Sequence, residues 1–440
     1  MFKTFINAFK IKDIRKKLLY TLLMLVIVRL GCQIAVPGIK SDAIRELFRS
    51  ILNPENGGLG IFSAFTGGSL ENLSIFALNI TPYITSSIIM QLMTIAIPKL
   101  EEMQNDGEDG RKKIASITRY VTVALALIES GAMAIGFRQY LDNNNVLSII
   151  VIIAAMTAGS AFLMWAGERI TEYGVGNGIS IVLIINIISS FPTDARTLIE
   201  QFVTAKDISV AVGVLNSVII IAVILVLVVM VIYLSDATRK IPLQYAKKIQ
   251  GNKMMGGNST VIPIKINTAG VIPVIFASSI LSFPNIISSM VGFKGTGWWQ
   301  EALNYMNPGM WFNPSKWIYT LGVIAYVAMI VFFAYFYTSI TFNPIEISTN
   351  LKKSGGFVPG IRPGKPTTEY LNSVLNYIIF IGAVGLTIVA VYPYVFCGLF
   401  SAKVSFGGTS IIIVVGVIVE TVKQVESQMI VRNYKGFLNN

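Results

Sequence analysis

Few ionisable residues lie inside long apolar runs of this 440-residue chain: Arg29, Arg119, Glu129 and Glu420. Converging charges at membrane depth mark proton or ion paths. Arg119 and Glu420 stand near the ends of their runs, where snorkelling to water accounts for them. Arg29 and Glu129 are deeper and either satisfy packing contacts or line a path. There is no histidine, which removes the commonest general base and the usual transition-metal ligand. No phosphate loop of the type Gly-x-x-x-x-Gly-Lys-Ser/Thr occurs. Gly360-Ile-Arg-Pro-Gly-Lys365 has the wrong spacing, with proline after the lysine. Cys32 and Cys397 lie in or at the end of apolar stretches, so neither a disulfide scaffold nor a metal site is expected. With no nucleophile elbow, metal-ligand cluster or cofactor motif, the residues point to passage through a membrane, not to bond-making chemistry, and an enzyme is not expected.

The stretch that suits passage is Gly57 to Met93. Leu59 to Thr66 is apolar and bracketed by glycines, but far shorter than the roughly 20 residues a spanning helix needs. Ile75–Ile97 is long enough to span, yet carries Asn79, Thr81, Pro82, Thr85, Ser86 and Ser87. Polar or broken backbone at membrane depth is tolerated where it faces protein or water. The pattern reads either as a small movable plug beside a pore-facing helix, or as an ordinary re-entrant loop before a proline-kinked helix with packing serines.

The rest of the chain must position that stretch in a bilayer. Hydrophobic residues make up 53% and charged residues 13%, about half the charge of a typical soluble protein. Mean hydropathy is +0.66. This is the composition of an all-α polytopic membrane protein. Ten spans are expected, near 18–35, 75–97, 114–137, 146–166, 179–191, 210–234, 269–291, 317–340, 374–396 and 409–422. The basic N-terminus leads into a full-length span, read as a retained first helix and not a cleaved signal. The N-terminus, the even-numbered connections and the C-terminal tail carry 24 Lys and Arg, against 9 in the odd-numbered connections. The excess places both termini in the cytoplasm.

Ten spans allow two inverted halves of five: residues 1–192 and 210–440, joined by an external hinge at 193–209. The second span of each half carries proline followed by paired serines, Pro82 with Ser86 and Ser87, and Pro273 with Ser278 and Ser279. Interrupted helices at matching positions point to the functional path. Two long cytoplasmic connections, 235–268 and 341–373, are basic. The first holds Arg239, Lys240, Lys247 and Lys248 and ends in Val261–Ile266, which alternates like a strand. The second holds Arg362 and Lys365 among Gly and Pro, with Phe357, Val358 and Ile361. A purely solvating loop would lack that apolar content, so both loops read as docking surfaces; enforcement of topology alone explains the lysines but not the length.

With these motifs in hand, the chain resembles the SecY family, the channel subunits of the bacterial-type protein translocase. The resemblance is carried by Val36–Ile39, Ser74–Ile84, Gly107–Arg111, Ile170–Ser180, Asn267–Ser279, Phe357–Gly364 and Phe406–Ser410, in family order. It implies a protein-conducting channel that passes unfolded secretory polypeptides across the cytoplasmic membrane and inserts membrane proteins into it. It implies a plug at Leu59, Ile61, Phe62 and Phe65, and a waist of apolar side chains at Ile80, Ile84, Leu183, Ile187, Ile275 and Ile413. Leu183 stands where isoleucine is expected, with apolar bulk kept. A lateral gate is implied between spans two/three and seven/eight, with Ser86, Ser87, Ser278 and Ser279 at its faces. The implied partners are SecE and SecG, the SecA motor, the ribosome, signal sequences and unfolded precursors, and the lipid bilayer. Motor and ribosome contacts fall on the two long loops, with Arg362 foremost.

The residues support a waist independently. Ile80 and Ile84 are four apart, as are Leu183 and Ile187, so each pair shares a helix face. Branched apolar side chains seal by excluding water and offer a sliding polypeptide no hydrogen bonds. They can equally be core or lipid-facing residues, and for Ile413, inside Ile411–Val415, the local pattern favours that. A secondary transporter of a small solute also uses broken helices and inverted repeats. It would more often show a carboxylate in the second and seventh spans, which have none.

Overall fold

The computed structural model describes residues 8–39, 67–70, 72–140, 145–202, 210–245, 248–250, 253–255, 259–291, 297–312, 317–400 and 408–437. Leu59, Ile61, Phe62 and Phe65 of the expected plug, and Lys247, lie outside these residues.

Each of the ten apolar stretches falls on a helix. The helices, three of them short (α3, α9 and α11), are α1 (Lys12–Gly31), α2 (Thr81–Ala96), α3 (Pro98–Asn105), α4 (Glu108–Gly136), α5 (Val146–Tyr173), α6 (Gly178–Phe202), α7 (Val210–Asp236), α8 (Ile272–Val291), α9 (Trp298–Tyr305), α10 (Leu321–Thr341), α11 (Pro344–Lys353), α12 (Lys365–Phe400) and α13 (Gly408–Phe437). Five of them, α4, α5, α7, α10 and α12, are long and apolar enough to cross a membrane by length and composition. The chain is a multi-pass helical membrane protein.

The second span differs from its expected form. Residues 75–80 are a run of turns, and the helix begins at Thr81 with Pro82 in its first turn. Proline there starts the helix without kinking it, because its missing N–H is unpaired in any first turn. The break comes at the other end, where α2 and the following Pro98–Gln104 segment are bent by 107°.

Helices α1, α2, α4, α5 and α6 pack through α1–α5, α1–α6, α2–α4, α4–α5 and α5–α6. Helices α7, α8, α10, α12 and α13 pack through α7–α12, α7–α13, α8–α10, α10–α12 and α12–α13. The two sets meet at α4–α8, α6–α7 and α6–α13. In the second set Phe276 of α8 stands edge-on to Phe333 of α10, with ring centroids 5.5 Å apart.

The two long loops fold together. Strand β1 (Thr238–Tyr245) pairs antiparallel with β4 (Ser259–Lys265), from Thr238 opposite Lys265 to Gln244 opposite Ser259. Between them, β2 (Lys248–Gln250) and β3 (Lys253–Met255) form the hairpin tip. The other edge of β1 takes β5 (Gly356–Phe357) from the second loop. The expected strand at 261–266 is thus β4. Ile241, Leu243 and Ile264 face inward and join Leu351, Val358, Leu371 and Leu375, with Ile361 packed on them. The apolar residues of the second loop therefore pack the two loops onto each other, and the basic side chains are what the module presents.

Candidate functional site

The residues proposed for a waist can be followed from the backbone upward. Asn79 has a left-handed backbone, φ 54°, and reverses the chain just before α2. Ile80 caps α2, its carbonyl accepting from the N–H groups of Tyr83 and Ile84 at 3.0 Å each. Gly270, φ 63°, sits the same two residues before α8. Asn79-Ile80-Thr81-Pro82 and Gly270-Val271-Ile272-Pro273 are thus structural counterparts: a left-handed residue, an apolar residue, a helix start, a proline. The correspondence places Ile84 and Ile275 at equivalent positions, five residues beyond the reversal.

The counterparts share one apolar cluster. Ile80, Ile187 and Ile413 are buried members of it, and Ile84, Val271 and Ile275 pack against them. The cluster draws on α1, α2, α5, α6 and α13 and on the start of α8, so it spans both helix sets. Five of the six residues expected at a waist come together there. Leu183 is buried one turn before Ile187 in α6. Val271 belongs with them and was missed; its signal was its place relative to Pro273, matching that of Ile80 to Pro82.

A buried polar layer adjoins this cluster. Asn186 Nδ2 donates to Asn79 Oδ1 at 2.9 Å, and the Ser160 hydroxyl donates to the Asn79 carbonyl at 3.2 Å. Arg29 Nη1 donates to the Gly67 carbonyl at 2.8 Å, and the Ser189 hydroxyl to the same oxygen at 3.3 Å. Asn79, read from the sequence as part of a pore-facing stripe, is turned into protein. Asn186 had no such reading: one polar residue in Ile184–Ile188 gives little signal.

The paired serines are not equivalent. Ser86 is buried against α4, 2.6 Å from the Thr122 hydroxyl, and donates to the Thr118 carbonyl at 3.2 Å. Ser278 is buried and bonds its own helix at Ile275 O, 3.0 Å. Ser87 and Ser279 are half-buried. Contact between the two sets here is apolar: Ile88 of α2 packs on the cluster that holds Val274, Ala277 and Leu281 of α8.

On the loop module, Arg239, Lys240, Arg362 and Lys365 are all exposed. Lys248 lies in β2. The turn that presents Arg362 is tied from below, with Thr367 Oγ1 donating to the Arg362 carbonyl at 2.8 Å and Ser348 Oγ to the Gly364 carbonyl at 2.9 Å.

A multi-pass helical bundle whose two sets meet around one apolar cluster, with a basic module at one end, defines a membrane-embedded channel or transporter. The SecY family profile matches residues 74–422. A protein translocase subunit SecY from Corynebacterium glutamicum is 40% identical over 453 residues, covering 98% of this chain and 99% of the relative. One from Streptomyces scabiei is 43% identical over 460 residues, covering all of both. This chain belongs to the SecY family. A solved structure of a protein-conducting channel shares the fold, with a TM-score of 0.61 at 18% identity over 94% of this chain and 92% of its own. Sec61 in a canine ribosome–channel complex does so with a TM-score of 0.60 at 17% identity, covering 94% of this chain and 92% of its own.

Proposed function

We infer that this chain is the channel-forming subunit of a protein translocase, passing unfolded polypeptides across a membrane and releasing apolar segments sideways into it. The observation that carries this is the convergence of Ile80, Ile84, Ile187, Ile275 and Ile413 on one apolar cluster spanning both helix sets, in a chain of the SecY family. Such a ring, with Leu183 beside it, excludes water and so bars ions, whose charges are costly to desolvate. It offers no hydrogen bonds to hold a polypeptide in transit. A solute transporter is disfavoured, because α2 and α8 carry no carboxylate.

The finer architecture follows from this reading. The ten helices form two inverted halves, residues 1–192 and 210–440, with 193–209 as the hinge; the matched reversals at Asn79 and Gly270 support it. The halves part between α2/α4 and α8/α10, along the seam where α8 meets α4 and Ile88. A plug at 59–66 adds a second seal. The Lys and Arg bias supports cytoplasmic termini in a cytoplasmic membrane. Arg239, Lys240, Lys247, Lys248, Arg362 and Lys365 then face the cytoplasm, where a basic surface suits ribosomal RNA or an acidic face of the SecA motor. SecE and SecG complete the membrane assembly. The test is reconstitution with those partners in vesicles: ATP-driven, protease-protected uptake of a secretory precursor is expected. Saturable uptake of a small solute without precursor uptake would contradict the reading.

A further inference from the structure

Each asparagine of the buried amide pair immediately precedes a ring residue in sequence: Asn79 precedes Ile80, and Asn186 precedes Ile187. Both side chains are 1% exposed. Asn79 adopts a backbone conformation that glycine meets without strain, and its counterpart Gly270 carries no side chain. Asparagine is the side-chain residue best suited to that conformation. At this position its amide reaches across to α6 and bonds Asn186. The pair is held from behind as well. Ser160 of α5 bonds the Asn79 carbonyl, Ser189 donates to the Asn186 carbonyl at 2.7 Å, and the Cys32 thiol makes a long contact with Asn186 Oδ1 at 3.9 Å.

We propose that the Asn79–Asn186 hydrogen bond is a positioning lock that ties the start of α2 to α6 and so sets how readily Ile80 parts from Ile187. The lock rests on the reading of these isoleucines as a ring. The ring's own contacts are apolar and weaken gradually as side chains slide. A hydrogen bond between two amides has a narrow range of length and angle and is lost within about an ångström of displacement. It therefore turns a soft apolar closure into one with a defined threshold. The second half has no such lock at the matching position, because Gly270 has no amide to offer, so the threshold is carried by the first half.

The test uses the full chain with its membrane partners, comparing Asn79→Gly, Asn186→Ala and the double variant, with Ile187→Asn beside them. The reading is the ratio of exported signal-defective precursor to exported intact precursor. A purely structural loss lowers both together and leaves the ratio unchanged. Breaking the lock raises the ratio roughly three- to fifteenfold in either single variant, the span expected for one interhelical hydrogen bond within a membrane. The double variant should match the singles, because all three lack the same bond. Should Asn186→Ala fail to accumulate, Asn79→Gly decides alone, since glycine accepts the backbone there. An unchanged ratio in the asparagine variants beside a raised ratio in Ile187→Asn overturns the lock and leaves the ring standing. A double variant equal to the product of the singles overturns it too. A silent Ile187→Asn overturns the ring and the lock together.

Discussion

The guanidinium of Arg29, in the first helix, donates to the carbonyl of Gly67 at 2.8 Å, and Ser189 of α6 donates to the same oxygen. A charge inside an apolar run is thereby used on the backbone of the segment that leads into α2. Gly67 has φ 60°, and a Cβ built there would lie 2.7 Å from the Asn186 carbonyl. Arg29→Leu should lower stability by about 1.5–3 kcal/mol, the range for a hydrogen bond from a charged donor. Gly67→Ala should be destabilised as well, through backbone strain and the clash. Thermal unfolding of the detergent-solubilised complex checks both; an Arg29→Leu variant as stable as the parent would remove the anchor.

Gly159 lets α5 approach the turns before α2, since an added Cβ would sit 2.0 Å from the Ile75 carbonyl. Gly159→Ala should cost about 1–3 kcal/mol by overpacking. Gly131 in α4 has nothing within 4 Å of its added Cβ, and Gly131→Ala should gain up to about 1 kcal/mol of helix propensity. Equal melting temperatures for the two variants would contradict this packing.

The sequence showed the helices well and their ends poorly. The long apolar runs each fell on a helix, the form that satisfies its own backbone in a bilayer. One of the two sequence readings made Pro82 a kink; it stands instead in the first turn, after the left-handed turn at Asn79, and that conformation leaves no mark in hydropathy. Strand β1 was missed because Arg239, Lys240 and Pro242 mask the alternation of Ile241 and Leu243. Phe357, Val358 and Ile361 announced a contact, but the partners lie within the chain, on β1, β4 and α12, a choice only the fold reveals. Spacing put Ile80 with Ile84, and Leu183 with Ile187, on shared helix faces; Ile275 and Ile413 came from the family resemblance alone, Val271 was recoverable from repeat symmetry, and Asn186 hardly at all.

Ser86 bonds α4 within its own helix set, whereas Ser87 and Ser279 are half-buried on the two helices of the proposed gate. Cysteines near Ser87 and Ser279, in a background lacking Cys32 and Cys397, should block insertion of signal sequences once cross-linked. Full insertion by a cross-linked pair would remove this gate. Ser86→Ala should cost only about 0.6 kcal/mol of stability, the mean for a membrane hydrogen bond.

Arg362 is exposed on a turn fixed by Thr367 and Ser348, so its planar fork of donors is presented without a large ordering cost. Arg362→Glu should abolish precursor translocation while the complex stays assembled in the membrane. Translocation by this variant at the parental rate would show that the motor or ribosome couples elsewhere.

Ile84 and its neighbours are proposed to seal a channel for polypeptides. Ile84→Asn places an amide where the apolar cluster excludes water, and should wet the constriction. Planar-bilayer conductance and export of a signal-defective precursor, measured on this one variant, test the claim together. Resting ion leak and acceptance of the defective precursor should both rise, because one barrier sets both. Parental tightness with parental selectivity, repeated at Ile187 and Ile275, would contradict the constriction.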